Sequence, residues 1–415
     1  MPIVVRANNL EPGMCLASNV TNRFSVLLPH GHKLTQGDIE ALKQRFPDKI
    51  VQVLDPLLDS IIEFDDFGQD HKISMEVRQN VSAVSQKVSS VVRRGTNLTA
   101  NNIAGMQRTI EEMMQYMQDN PVTLALLEQS SNWDGYLQEH CANVFYLSMV
   151  MGNTMRNFIK RELERLSAAR SIHNAMDLTA LGTAAMLHDI GMIPVEKLYR
   201  KNDSLTPEEI KQVKAHPKEG SEMLPENIDG MVRLVIRCHH ENQNGSGYPQ
   251  GLAGDKITIF ARILRVADAY SAAISDGVYK KAKSMVRALY EMIYGSSRHL
   301  YDPEVLKVFK GISQPFPIGA RLKLQSGQIA VVTKHNHTDP FHPEVIIAFD
   351  DQGQSLPEDK CEGPFLLNEK EDIKVKSFED EDISYINNIR DQEDTDVADE
   401  SPSPVESELF DLVYP

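Results

Sequence analysis

A chain of 415 residues is longer than one ordinary core requires, so two or three domains are expected. Its 41% hydrophobic and 25% charged residues match a soluble globular protein rather than a fibrous or unstructured one. The net charge is −16, and −12 of it falls in residues 379–415, where 13 acidic residues meet only Arg390; no long basic stripe exists elsewhere, which argues against a nucleic-acid polymer as partner.

In chain order, residues 1–68 read as a small α/β module. Short apolar runs at Ile3–Val5, Val26–Leu28 and Ile50–Leu54 alternate with turns, and Thr35 is the expected N-cap of a helix carrying Ile39, Leu42 and Phe46. Residues 69–125 form a helical connector with apolar residues every three to four positions (Met75, Val81, Val84, Val88, Val91). A homodimer stalk and an ordinary packed hairpin fit it equally. Residues 126–312 are richly helical, and Trp133 is expected to pack where they begin. Residues 313–370 switch to a small β-rich segment built on Ala320–Leu324, Ile329–Thr333 and Val345–Phe349. Residues 371–415 read as an acidic tail, disordered at its end. The fold class is multidomain and mainly α.

Cys15, Cys141, Cys238 and Cys361 form neither a C-x-x-C pair nor a disulfide framework, which fits a reducing compartment. The start, MPIVVRANNL, lacks a signal-peptide pattern, and no run approaches 18 apolar residues. No membrane span is therefore expected, and the cytoplasm is the expected location.

The chemistry lies where ionisable residues interrupt apolar helical patterns. His188-Asp189 ends Ala184-Ala-Met-Leu, His239-His240 ends Val232-Arg-Leu-Val-Ile-Arg-Cys, and Asp268 lies inside Ile263-Leu-Arg-Val-Ala. Burying such groups is costly without a partner, and divalent cations satisfy imidazoles and carboxylates together. A lone buried histidine is usually a hydrogen-bonded core residue. The ordered series H…HD…H…HH…D, from His140 through His216 to Asp268, is far more specific. His335 and His337, in contrast, read as exposed loop histidines.

That series resembles the HD phosphohydrolase superfamily and, more narrowly, its HD-GYP branch. The signature stands as His239-His-Glu-Asn-Gln-Asn-Gly-Ser-Gly-Tyr-Pro249. It is supported by His188-Asp-Ile-Gly191, Leu205-Thr-Pro-Glu-Glu209, His216-Pro-Lys-Glu-Gly220, Ala261-Arg-Ile-Leu264 and Tyr301-Asp-Pro303. A weaker similarity, at Leu10-Glu-Pro-Gly-Met14, links the first 55 residues to a module often attached to this branch. The resemblance implies an all-α HD-type domain. Its implied metal ligands are His140, His188, Asp189, His216, His239, His240 and Asp268, with Asp189 bridging. Tyr136 stands where some members carry a further glutamate, so two divalent ions are expected, iron or manganese. The implied activity is hydrolysis of cyclic di-GMP to linear pGpG or GMP. Metal-bound hydroxide would attack phosphorus, with two cations roughly 3.5–4 Å apart neutralising the phosphodiester. His188, Asp189 and Tyr248 are the expected catalytic residues, and Gly247, Tyr248, Pro249, Arg262 and Lys280 the expected substrate contacts.

Three positions depart from the branch. Met192 replaces a lysine, Asn244 an aspartate, and Gly277-Val278 an Arg-Pro pair. These losses touch substrate contacts rather than ligands, and Lys197, Lys201, Arg262 and Lys283 are the candidates to compensate. Two alternatives follow: a sensor that binds a cyclic dinucleotide without cleaving it, and an HD phosphohydrolase for another nucleotide.

Overall fold

The computed structural model describes residues 2–54 (except 17–19, 22–25, 30 and 47–48), 99–119, 136–166, 177–199, 205–275 and 282–389, together with 83, 86–93 and 201. Trp133, Gly277, Val278, Lys280 and most of the expected connector lie outside the described residues. The chain divides into two compact units, one formed by Met1–Phe67 with Ser313–Ala398 and the other by Gly68–Ile312.

In the first unit, β1 (Pro2–Arg6), β5 (Ile50–Leu54) and β2 (Cys15–Leu16) form an antiparallel sheet in the order β1-β5-β2, and β3 (Val20–Thr21) pairs with β4 (Val26–Leu28). Helix α1 (Gln36–Arg45) starts at Thr35, whose hydroxyl accepts from the Asp38 amide while the Asp38 carboxylate accepts from the Thr35 amide.

The later part of the chain adds a six-stranded antiparallel sheet. Its strands are β6 (Arg321–Leu324), β7 (Ile329–Lys334), β8 (Glu344–Phe349), β9 (Glu362–Leu366), β10 (Val375–Phe378) and β11 (Glu381–Asp382), in the order β11-β10-β6-β7-β8-β9. The run Val345–Phe349 is buried on both faces of its strand and so needs two covers. The N-terminal segment contributes one: Leu16, Ile39, Leu42 and Val53 share a core with Val331, Ile346 and Ala348. Segments read separately in sequence thus close one core between them. The ordered chain also runs beyond residue 370. Val375, Ile383, Ile386 and Ile389 are buried, so the first part of the expected acidic tail belongs to this unit. Its apolar residues, spaced between acidic ones, give it a face to bury.

The second unit is helical: α2 (Ala100–Asp119), α3 (Tyr136–Thr154), α4 (Arg156–Leu166), α5 (Thr179–Leu187), α6 (Glu196–Tyr199), α7 (Pro207–Lys214), α8 (His216–Glu222), α9 (Gly230–Cys238), α10 (Ile259–Ile274), α11 (Met285–Tyr294) and α12 (Pro303–Ile312). Helix α10 is buried along its whole length, its Arg262, Arg265 and Asp268 included. It packs on α3, α9, α11 and α12, while α5 packs on α2, α3 and α9. The described end of the expected connector therefore docks on this unit, with Met106 and Ile110 fully buried. Helix α7 opens on a capping box of Thr206 and Glu209 with Pro207 in its first turn, and α9 opens on Asp229, which accepts from the Met231 amide.

Candidate metal centre

Three histidines lie just past helix C-termini: His188 directly after α5, His239 directly after α9, and His216 after α7 with Ala215 between, where it opens α8. The last turn of a helix leaves carbonyls without amide partners. Each of these rings donates its Nδ1–H to a carbonyl of the preceding turn, His188 to Ala185 at 2.9 Å, His216 to Val213 at 2.8 Å and His239 to Ile236 at 2.6 Å. A carbonyl only accepts, so Nδ1 holds the proton of the neutral ring and Nε2 turns an open lone pair inward. Gly191 brings the first two helix ends together. A Cβ there would lie 2.2 Å from the His216 carbonyl oxygen, so a larger residue would push the His188-Asp189 turn away from α8.

All seven sequence-predicted ligands converge and are buried. Asp189 lies between two groups. Its Oδ2 is 3.4 Å from His188 Nε2 and 3.7 Å from His140 Nε2, and its Oδ1 is 3.3 Å from His216 Nε2 and 3.8 Å from His239 Nε2. Either group, His140/His188/Asp189 or Asp189/His216/His239/His240, offers ligand atoms within 4.8 Å of one another. Asp268, from the middle of α10, is 3.1 Å from His140 Nε2 and 3.8 Å from His240 Nδ1.

Facing nitrogens fit cations better than they fit each other. His188 Nε2 approaches His140 Nε2 at 3.3 Å, and His216 Nε2 approaches His239 Nε2 at 3.2 Å. Both ring nitrogens of His240 and Oδ2 of Asp268 are buried without a hydrogen-bond partner. Burial without partners is costly, and a divalent ion on either side of Asp189 satisfies these atoms together. The residues present therefore fit a metal centre.

The electrostatics prepare the ligands. Burial opposes charge on both Asp189 and His188. The His188 and His216 rings nonetheless hold Asp189 well below the usual carboxylate range, and Asp189, with Asp268 beyond it, lifts His188 to about 9. Burial would raise Asp268, but the His140 ring outweighs it and keeps the carboxyl low. Burial, reinforced by His216 and His188, pushes His239 down to about 3, and His240 is also held well below its ordinary value by burial and by His239. Anionic carboxylates and neutral His239 and His240 are the forms that ligation requires, and the proton on His188 is the one a cation would displace.

The Gly245–Pro249 loop follows His240 and folds back on it. A Cβ on Gly247 would lie 2.4 Å from both the His240 carbonyl oxygen and the Asn242 nitrogen, so only glycine allows this approach. The next ring, Tyr248, stacks on His240 with centroids 4.8 Å apart at 19°. Pro249 follows through a cis peptide. The buried carboxylate of Glu241 accepts from the amides of Gln250 at 2.7 Å and Leu252 at 2.8 Å, fixing the loop exit. Asn244 accepts from Ser246 N at 3.0 Å and Ser246 Oγ at 2.7 Å, so its amide oxygen does the work a carboxylate could do there. Met192, in place of a lysine, is buried.

The expected compensating cations are mostly committed elsewhere. Arg262 is buried and paired with both Glu162 and Asp302, Lys201 with Glu209, and Lys283 with Glu291. Arg262 therefore acts as a structural ion pair rather than the expected substrate contact, because two carboxylates occupy its guanidinium. Lys197 is exposed. Four residues at the centre escaped the sequence reading: Lys214, Glu241, Arg265 and Ser271. Lys214 ends α7 with its ammonium 5.5 Å from the centre of the Tyr248 ring. Arg265 donates to Asn242 Oδ1 at 3.0 Å and lies 3.8 Å from Asp268. A charged residue inside the apolar α10 pattern, three positions before Asp268, was the available signal for Arg265; Lys214 gave none.

Residues 148–305 match the HD domain family. His140 lies eight positions before that match, on the same helix as its first residues. Cyclic di-GMP phosphodiesterase PA4108 of Pseudomonas aeruginosa is 34% identical over 171 residues, covering 40% of this chain and 41% of that protein. Cyclic di-GMP phosphodiesterase PdeB of Borreliella burgdorferi is 26% identical over 250 residues, covering 57% and 62% respectively. The cyclic di-GMP phosphodiesterase response regulator RpfG of Xanthomonas campestris is 39% identical over 124 residues, covering 29% and 32%. The chain thus spans from about a third to three fifths of these relatives' lengths. Residues 148–305 thus match an HD domain, and the chain, with its His239–Pro249 motif, is similar to cyclic di-GMP phosphodiesterases.

Proposed function

We propose that this chain is a metal-dependent phosphodiesterase that opens cyclic di-GMP to linear pGpG, with GMP as the product of a second cut. The supporting observation is Asp189, whose two carboxylate oxygens face separate histidine groups. We assign two divalent ions, iron or manganese, to His140, His188, Asp189, His216, His239, His240 and Asp268. Bound there, they would supply Lewis acidity towards a phosphodiester and an activated water for in-line displacement at phosphorus.

The chain's own groups complete the site. Asp189 and Asp268 stay anionic and hold the imidazoles in register. Arg265 fixes Asp268 from within α10 and ties it to Asn242 at the root of the loop. Gly247 and Glu241 hold Tyr248 over His240, where its ring can meet a guanine base or a ribose edge. Lys214, beside that ring, faces the bound anion with a positive charge.

The test is an anaerobic assay of the full chain with Fe(II) or Mn(II). Linear dinucleotide should accumulate with the wild type and be lost in Asp189→Ala and His188→Ala. No turnover by the metal-loaded wild type would sink the reading. One observation favours a second reading, a sensor that binds without cleaving: three of the four cations expected to compensate for Met192, namely Lys201, Arg262 and Lys283, are tied up by carboxylates. Tight cyclic di-GMP binding with no product over hours would select it.

A further inference from the structure

The five imidazoles of the centre are not equivalent. His188, His216 and His239 each give Nδ1–H to a carbonyl, which turns Nε2 towards the centre. The Nδ1 of His140 meets a hydroxyl instead, Ser271 Oγ at 2.9 Å, and a hydroxyl both donates and accepts. The Nε2 of His140 is 3.1 Å from Asp268 Oδ1. One turn of α10 therefore holds both ring nitrogens of His140, through Asp268 and Ser271 at i and i+3, and all three residues are buried.

A cation bound at Nε2 of His140 needs the ring proton on Nδ1, where Ser271 Oγ can accept it. His188 Nε2 faces the same nitrogen at 3.3 Å, so the two rings converge on one position. A helix carbonyl holds its ring in one orientation, whereas a hydroxyl turns about its own bond, so His140 is less firmly preset than the carbonyl-held rings.

We infer that Ser271 is the positioning residue for His140 and that the two halves of the centre are unequal. The Asp189/His216/His239/His240 group, with four ligands and two preset rings, takes the first ion. The His140/His188/Asp189 group takes the second ion more weakly and releases it more readily. This inference rests on the metal-centre reading but not on the substrate assigned above.

Anaerobic titration of the metal-stripped full chain with Mn(II), followed by calorimetry and by the magnetic resonance signal of free Mn(II), tests it without any turnover. Two binding events at least tenfold apart are expected. Ser271→Ala should weaken the second event by about 10–100-fold, the usual scale for removing a group that orients a metal-binding histidine, and leave the first unchanged. Ser271→Thr keeps the hydroxyl and should behave as the wild type. Ser271→Asp, whose carboxylate only accepts, should fix Nδ1–H and draw the second event towards the first. His140→Ala should abolish the second event alone. Two equal affinities in the wild type, failure to take a second ion, or a Ser271→Ala variant within twofold of wild type at the second event would each overturn the inference. A folded wild type that binds no Mn(II) would overturn the metal-centre reading with it. Loss of cyclic di-GMP turnover with two unequal events intact would overturn the substrate assignment alone.

Discussion

Gly230 and Gly247 provide a matched pair of glycine-to-alanine substitutions with opposite expected outcomes. At Gly247 an added methyl would lie 2.4 Å from His240 O, 2.4 Å from Asn242 N and 2.6 Å from Glu241 Cα, all backbone atoms that cannot swing aside. The loop must shift as a whole, an overpacking cost of about 1–3 kcal/mol. If Tyr248 then leaves His240, a stacking contribution of about 0.5–1.5 kcal/mol goes with it. At Gly230, in the first turn of α9, nothing lies within 4 Å of the added methyl, and no positive φ is involved. Alanine there should stabilise the chain by about 0.4–1 kcal/mol, by restricting the unfolded state. Since 1 kcal/mol moves the midpoint of a domain this size by about 2–4 °C, Gly247→Ala should melt roughly 2–12 °C lower and Gly230→Ala about 1–4 °C higher. Differential scanning calorimetry of the three proteins, with metal content measured on the same samples, checks both. Gly247→Ala should keep its metal, because His240 precedes the displaced segment. Equal melting of wild type and Gly247→Ala would refute the close-approach argument and, with it, the placement of Tyr248.

Lys214→Met should raise KM for cyclic di-GMP by roughly 10–100-fold with little change in kcat, the worth of one hydrogen bond to a charged group, and Lys214→Arg should recover most of it. Steady-state kinetics at two salt concentrations decide this; an unchanged KM removes Lys214 from the site. Arg262→Met strands the carboxylates of Glu162 and Asp302 and should destabilise the helical unit by about 3–5 kcal/mol in urea unfolding, while Mn(II) affinity stays within twofold. His335 is held down to about 4, from 6.5, by burial and by His337. Between those values the unfolded chain binds the proton and the folded chain does not, so stability is full above pH 6.5 and falls as the pH drops to 4, by at most about 3 kcal/mol. Urea midpoints at pH 7 and 4.5 should show the loss in wild type and a smaller one in His335→Gln.

The outcome at the histidines shows how far sequence carries. His188, His239 and His240 each end an apolar helical run, and that break in pattern was visible without a structure, as was the Thr35 cap, now seen as a capping box with Asp38. Spacing along the chain also sets three imidazoles at helix ends, because a ring following the last turn can reach the carbonyl three residues back. The strands Ile50–Leu54 and Val345–Phe349 were legible as apolar runs, but their shared core was not, since hydrophobic patterning marks a face to be buried without naming the segment that covers it.

Pairings between distant residues belong to the tertiary structure alone. Arg262 read as a phosphate contact because a cation near a motif carries no record of its partner; folding spends it on Glu162 and Asp302, 100 and 40 residues away in sequence. Ser271 looked like any small residue on a buried helix until α3 set His140 against it. Sequence determined which groups had to leave water and which helices would carry them. Only packing decided which lone pair faces which proton, because hydrogen-bond direction depends on separations of a few tenths of an ångström between elements that local patterning does not bring together.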